Sequence, residues 1–134
     1  MAHDHEIYMT LTDTAVEVRD AAALRKYASE LARLAARDNH RLYLAIAYRA
    51  RGVEQRLAGE HTEAETSLKQ ALGLFTKVGA RWQIGRTLFE MGENHRIRSH
   101  EKAREYYSQA LGAFEEMQAL PYAEQTRVAL NGLR

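Results

Sequence analysis

The chain has 134 residues, no cysteine, one proline, eight glycines, 46% hydrophobic and 28% charged residues, and a formal net charge of +1. That length suits one domain, 1–134, with an ordinary core, and zero cysteines exclude disulfides, thiolate metal sites and cysteine nucleophiles. No apolar run approaches the roughly 18–20 residues of a membrane span, and the acidic start Met1-Ala-His-Asp-His-Glu lacks a signal peptide's basic and apolar regions, so a soluble, cytoplasmic chain is expected.

The near-neutral total hides a bias toward 15 Arg over 4 Lys and 14 Glu over 4 Asp. Arginine, glutamate, alanine and leucine are good helix formers, and little in the composition argues for strands. Breaks fall at Gly59-Glu-His-Thr, Gly79, Ser99-His100 and ahead of Pro121, and the whole pattern reads as seven expected helices: 5–18, 21–38, 41–58, 61–78, 81–98, 101–118 and 121–132. Connections this short make consecutive helices antiparallel.

The first helix is acidic, with Asp4, Glu6, Asp13, Glu17 and Asp20 against Arg19. The fourth carries an apolar stripe, Ala64, Leu68, Ala71, Leu72, Phe75 and Val78, at helical spacing. The sixth repeats it as Ala103, Tyr107, Ala110, Leu111, Phe114 and Met117. Set against each other, 41–80 and 81–120 match at Arg41 and Arg81, Tyr48 and Leu88, Gly52 and Gly92, and, after a one-residue deletion, Ala64 and Ala103. The run Gln70-Ala71-Leu72-Gly73 then faces Gln109-Ala110-Leu111-Gly112. Residues 21–40 read as a preceding half repeat and 121–134 as the start of a later one. Small residues at Gly52, Gly92, Ala64, Ala71, Ala103 and Ala110 allow close helix approach while large neighbours fill the gaps, so repeated pairs can stack.

The two segments Gly52…Gly59-Glu60-His61-Thr62-Glu63-Ala64…Leu68…Ala71-Leu72 and Gly92…Ser99-His100-Glu101-Lys102-Ala103…Tyr107…Ala110-Leu111 resemble the tetratricopeptide repeat. The period of about 40 exceeds that family's usual value of about 34 and is similar to a long-period variant found in bacterial regulators and signalling adaptors. The resemblance implies an all-α fold, a right-handed α-α superhelix of about seven antiparallel helices, and a binding scaffold rather than an enzyme. It also implies a concave wall lined by the first helix of each pair. The groove-facing positions carried over are Ile46, Arg49, Val53 and Arg56 in 41–58, and Arg86, Phe89, Glu93 and Arg96 in 81–98.

Four of those eight are arginines. Guanidinium forks hold carboxylates bidentately, so the expected ligand is an acidic or carboxylate-bearing peptide of a partner protein. The competing reading is a solvated arginine-rich face paired with glutamates of neighbouring helices. Nucleic acid is disfavoured by the near-zero net charge and the lack of a recognisable motif or aromatic platform. His3 with His5, and His95 with His100, lack the spacing that presents two metal ligands on one helical face, and no metal or other cofactor is expected. The serines Ser29, Ser67, Ser99 and Ser108 sit outside any nucleophile elbow, so no catalytic residues are assigned. Tyr106, Tyr107 and Trp82 read as packing residues.

The last helix has a broad apolar side, Tyr122, Ala123, Thr126, Ala129, Leu130 and Leu133. Either it packs back on the preceding pair, or another molecule or a further downstream segment covers it. A homo-oligomer formed through terminal repeats, the acidic first helix of one copy meeting the arginines of another, follows from that pattern. The alternative function is an oligomerising or signal-sensing helical segment of a larger multidomain bacterial regulator.

Overall fold

The structure, a computed structural model, describes residues 10–16 and 19–133. Secondary structure among them is entirely helical: α1 (10–16), α2 (Ala21–Asp38), α3 (Arg41–Leu57), α4 (His61–Lys77), α5 (Arg81–His95), α6 (His100–Glu116) and α7 (Leu120–Asn131). From α2 onward the boundaries lie within three residues of those expected. The expected first helix, 5–18, extends at both ends into residues outside the described ones, as do His3, Asp4, His5, Glu6 and Glu17. The chain divides into two compact units, Met1–Val78 and Gly79–Arg134, beside the expected repeat boundary at 80/81.

In the first unit α2 packs on α3 and α3 on α4. The turns between helices share one construction. Arg19, Asn39 and Gly59 take positive φ values of 55°, 54° and 82°. After each, the next amide reaches back five residues: Asp20 N–H to the Ala15 carbonyl at 3.0 Å, His40 to Ala35 at 2.9 Å, and Glu60 to Gln55 at 2.8 Å. This is the Schellman closure, which satisfies helix-end carbonyls and reverses the chain in few residues. The following helix starts on a side-chain cap where one is present. Asp20 accepts from the Ala23 amide at 3.1 Å, and His40 Nδ1 from the Tyr43 amide at 3.3 Å.

The expected stripe on α4 is the buried one. Ala64, Leu68, Ala71 and Phe75 have no exposed surface, and Leu72 is half-buried. Val78 departs from the expectation: helix α4 ends at Lys77, so Val78 caps it and stays exposed. Gly52 faces this stripe so closely that a Cβ there would sit 2.6 Å from Leu68 Cγ. A second cluster joins Ala15 and Val16 of α1 to Leu24 and Ala28 of α2 and to Ala50 and Val53 of α3.

In the second unit α5 packs on α6 and α6 on α7. A Cβ at Gly92 would lie 2.6 Å from the Tyr107 ring, and one at Gly85 would lie 2.9 Å from Phe114. Ala103, Tyr107, Ala110 and Phe114 are buried, with Leu111 and Met117 half-buried. Trp82 stands edge-on to Tyr122 with centroids 4.5 Å apart, and to Phe114 at 5.6 Å, which makes it a packing residue as expected. The apolar side of α7 packs back on α6: Ala123, Thr126 and Leu133 are buried.

The α5–α6 connection is the irregular one. Helix α5 stops at His95, earlier than expected, and residues 96–98 form a turn before Ser99, whose hydroxyl accepts from the Lys102 amide at 3.3 Å. The second copy has one residue fewer here, so the last helical turn is unwound to bring Ser99 to the capping position. Ile97 consequently projects into solvent, 85% exposed.

Candidate functional site

The unwound turn forms one wall of a groove of about 570 Å³ in the second unit, lined by Arg96, Ile97 and His100 on one side and by Val128, Ala129, Gly132 and Leu133 on the other. Two features hold the second wall in place. Leu133 is buried in a cluster with Ala103 and Tyr107, and the Leu133 carbonyl accepts from Arg104 Nη2 at 3.2 Å. Beneath the groove, Phe89 packs on Tyr107 with centroids 5.5 Å apart, and Ala129 and Leu130 complete that cluster.

Two aliphatic side chains stand in solvent at this groove, Ile97 at 85% and Val128 at 62% exposure. Arg96 and His100 lie beside them and Arg98 adjoins them, all three exposed. Among the described residues none of these three side chains makes a hydrogen bond or an ion pair. Other exposed arginines are engaged: Arg127 binds Glu115 at 2.8 Å and Glu124 at 3.2 Å, Arg81 binds Glu116 at 3.2 Å, and Arg25 binds Glu54 at 3.1 Å. These pairs lie on α2, α5 and α7 and involve none of the four arginines assigned to a groove from sequence.

The eight residues assigned to a groove from sequence have different fates. Ile46, Arg49 and Val53 are fully buried in the first unit. Val53 lies in the cluster with Ala15 and Val16, and Arg49 Nη2 bonds Asp13 Oδ1 at 2.9 Å, because α1 packs against this side of α3. These three side chains are core and closed to solvent in this structure. Arg56, Arg86, Phe89 and Glu93 are half-buried. The Glu93 carboxylate accepts the Tyr107 hydroxyl, and burial together with that bond holds the phenol's ionisation well above its ordinary value of 10.0. Phe89 and Glu93 thus support Tyr107. Arg96 alone of the eight lines the groove in the second unit.

Sequence reasoning missed Ile97, His100 and Val128. Ile97 falls inside the expected helix 81–98, and the one-residue deletion that unwinds its turn is visible where the two copies are set against each other. Of the histidines weighed as metal ligands, His95 is buried and stacks on Tyr106 at 5.6 Å, whereas His100 opens α6 in solvent. Among the described residues no group of three or more His, Asp or Glu side chains could hold a metal ion. No described helix is long and apolar enough to cross a membrane. Comparison of the chain with protein-family models, with curated proteins and with solved structures finds no match.

Proposed function

We propose that the chain is a tetratricopeptide-like interaction module whose second unit docks an acidic, partly apolar segment of a partner protein. The observation that carries the docking is the cluster of exposed Arg96, Arg98 and His100, without hydrogen bonds or ion pairs among the described residues, around exposed Ile97 and Val128. An apolar anchor excludes water from neighbouring charges, and guanidinium groups pair bidentately with carboxylates, so an occupant carrying aliphatic or aromatic side chains and Asp or Glu satisfies both. The tetratricopeptide reading is supported by recurrence. The αL turns at Arg19, Asn39, Gly59 and Gly79 fall at 20-residue intervals, and Gly52 against Leu68 has its counterpart in Gly92 against Tyr107.

The test is selection from a phage-displayed random peptide library, with binding of enriched peptides measured at low and high salt. Enrichment of sequences mixing Asp or Glu with apolar residues, weakened by salt and lost in the Arg96→Glu, Arg98→Glu double variant, is the expected result. Peptides lacking acidic residues, or binding the double variant undiminished, would refute the assignment.

A further inference from the structure

In the first unit a separate cavity of about 110 Å³ opens between α2 and α3. Its apolar wall is Ala28, Ala32, Leu44 and Ala47, and its polar side is Ser29, Tyr48, Arg51 and Glu54. The three alanines are small, so the two helices leave a slot instead of an interdigitated seam. An engineered apolar cavity of about 150 Å³ accepts benzene, so this slot has room for one short branched aliphatic group.

The polar side has a definite bias. Glu54, the one anion there, is held by Arg25 Nε at 3.1 Å. The Ser29 hydroxyl, the Tyr48 phenol and the Arg51 guanidinium make no hydrogen bond or ion pair among the described residues. Two hydroxyl donors and an unpaired cation beside an apolar slot favour an anion with acceptor oxygens. A phosphate would satisfy Arg51 and leave the slot empty, and a plain hydrocarbon would fill the slot but leave the exposed Arg51 and Ser29 to water and gain nothing from them.

We propose that this slot binds a branched aliphatic carboxylate, with the hydrocarbon against Ala28, Ala32 and Ala47 and the carboxylate on Arg51, Tyr48 and Ser29. Two sources share that chemistry, a free small acid and the C-terminal aliphatic residue of a peptide. This site uses none of the residues of the groove in the second unit, so each can fail without the other.

The experiment is a titration of the whole chain with isocaproate, its neutral amide isocaproamide, and N-acetyl-leucine, followed by backbone NMR. Isocaproate is expected to move the Ala32, Ala47 and Tyr48 resonances, with isocaproamide about tenfold weaker, a difference of about 1.4 kcal/mol. Arg51→Ala should bring the acid down to the amide's affinity, and Ala32→Leu should block both by filling the slot. Both variants should still bind peptides selected on the second unit. N-acetyl-leucine binding more tightly than isocaproate identifies a peptide end as the natural source, and the reverse order identifies a free acid. Absence of shifts at millimolar ligand, equal binding of acid and amide, or an unaffected Arg51→Ala variant overturns the proposal.

Discussion

Arg49 is fully buried and its Nη2 lies 2.9 Å from Oδ1 of Asp13, 36 residues earlier in the chain. The pair ties α1 to α3, and the guanidinium also lies 5.1 Å from the centroid of the Phe75 ring on α4. A buried cation deprived of its partner costs about 3–5 kcal/mol, far more than an exposed pair, which is worth about 0–1 kcal/mol. Asp13→Ala should therefore lower unfolding stability in urea titrations by clearly more than Arg25→Ala, which breaks the exposed pair with Glu54 and should change it by about 0.5 kcal/mol. Equal effects of the two would show that α1 does not secure the first unit.

The glycines divide by what a side chain would meet. Gly52 and Gly92 are packed against Leu68 and Tyr107, whereas a Cβ at Gly73 or Gly112 meets nothing within 4 Å. Alanine gains about 1 kcal/mol over glycine inside a helix, while overpacking costs about 1–3 kcal/mol. Gly73→Ala and Gly112→Ala should each raise stability by somewhat under about 1 kcal/mol, and Gly52→Ala should lower it despite the same propensity gain. Thermal and urea unfolding of the set check the signs.

The same glycines show what was legible in the sequence. A mid-helix glycine at matching positions, facing a small–large–small stripe, announces a close helix crossing, and Gly52 with Leu68 and Gly92 with Tyr107 bear this out. Gly59 and Gly79 marked helix ends because both take positive φ, which glycine adopts without strain. Burial of Arg49 was not legible: its partner lies on a different helix, and nothing in periodicity says which arginine of a basic helix faces another helix rather than solvent. The groove at Ile97 was hidden for a related reason. An alignment records a deleted residue, while the side chain exposed when the helix unwinds around it depends on the capping of Ser99.

Not every αL position carries glycine. Gln118 ends the α6 turn at φ 57°, with the Ala119 amide closing on the Phe114 carbonyl at 2.8 Å. A residue with a Cβ in this conformation is disfavoured by about 1–2 kcal/mol, and glycine recovers part of that after its own larger entropy loss. Gln118→Gly should add about 0.5–1 kcal/mol and raise the melting temperature by a few degrees. The same change at the neighbouring Met117, which sits at φ −86°, should not stabilise. A rise at Met117 as large as that at Gln118 would contradict the turn geometry.

Tyr107 predicts an alkaline instability with a defined sign. Burial is the larger cause, and the hydrogen bond to Glu93 the next, of an ionisation held well above the ordinary value of 10.0. Below that value both folded and unfolded phenols are neutral and the native state has its full advantage. As pH rises past about 10 the unfolded phenol ionises while the folded one resists, so stability falls by up to about 1.4 kcal/mol per pH unit from this group. Phenylalanine removes the ionisable group and the bond to Glu93 together. Tyr107→Phe should thus be less stable than the parent by about 1 kcal/mol at neutral pH, from the lost hydrogen bond. Above pH of about 10 the parent loses stability faster, so the two curves converge and then cross. Urea unfolding of both proteins across the alkaline range measures this, with tyrosinate absorbance reporting ionisation directly. Parallel curves through that range would mean that Tyr107 ionises as readily in the folded chain as in the unfolded one.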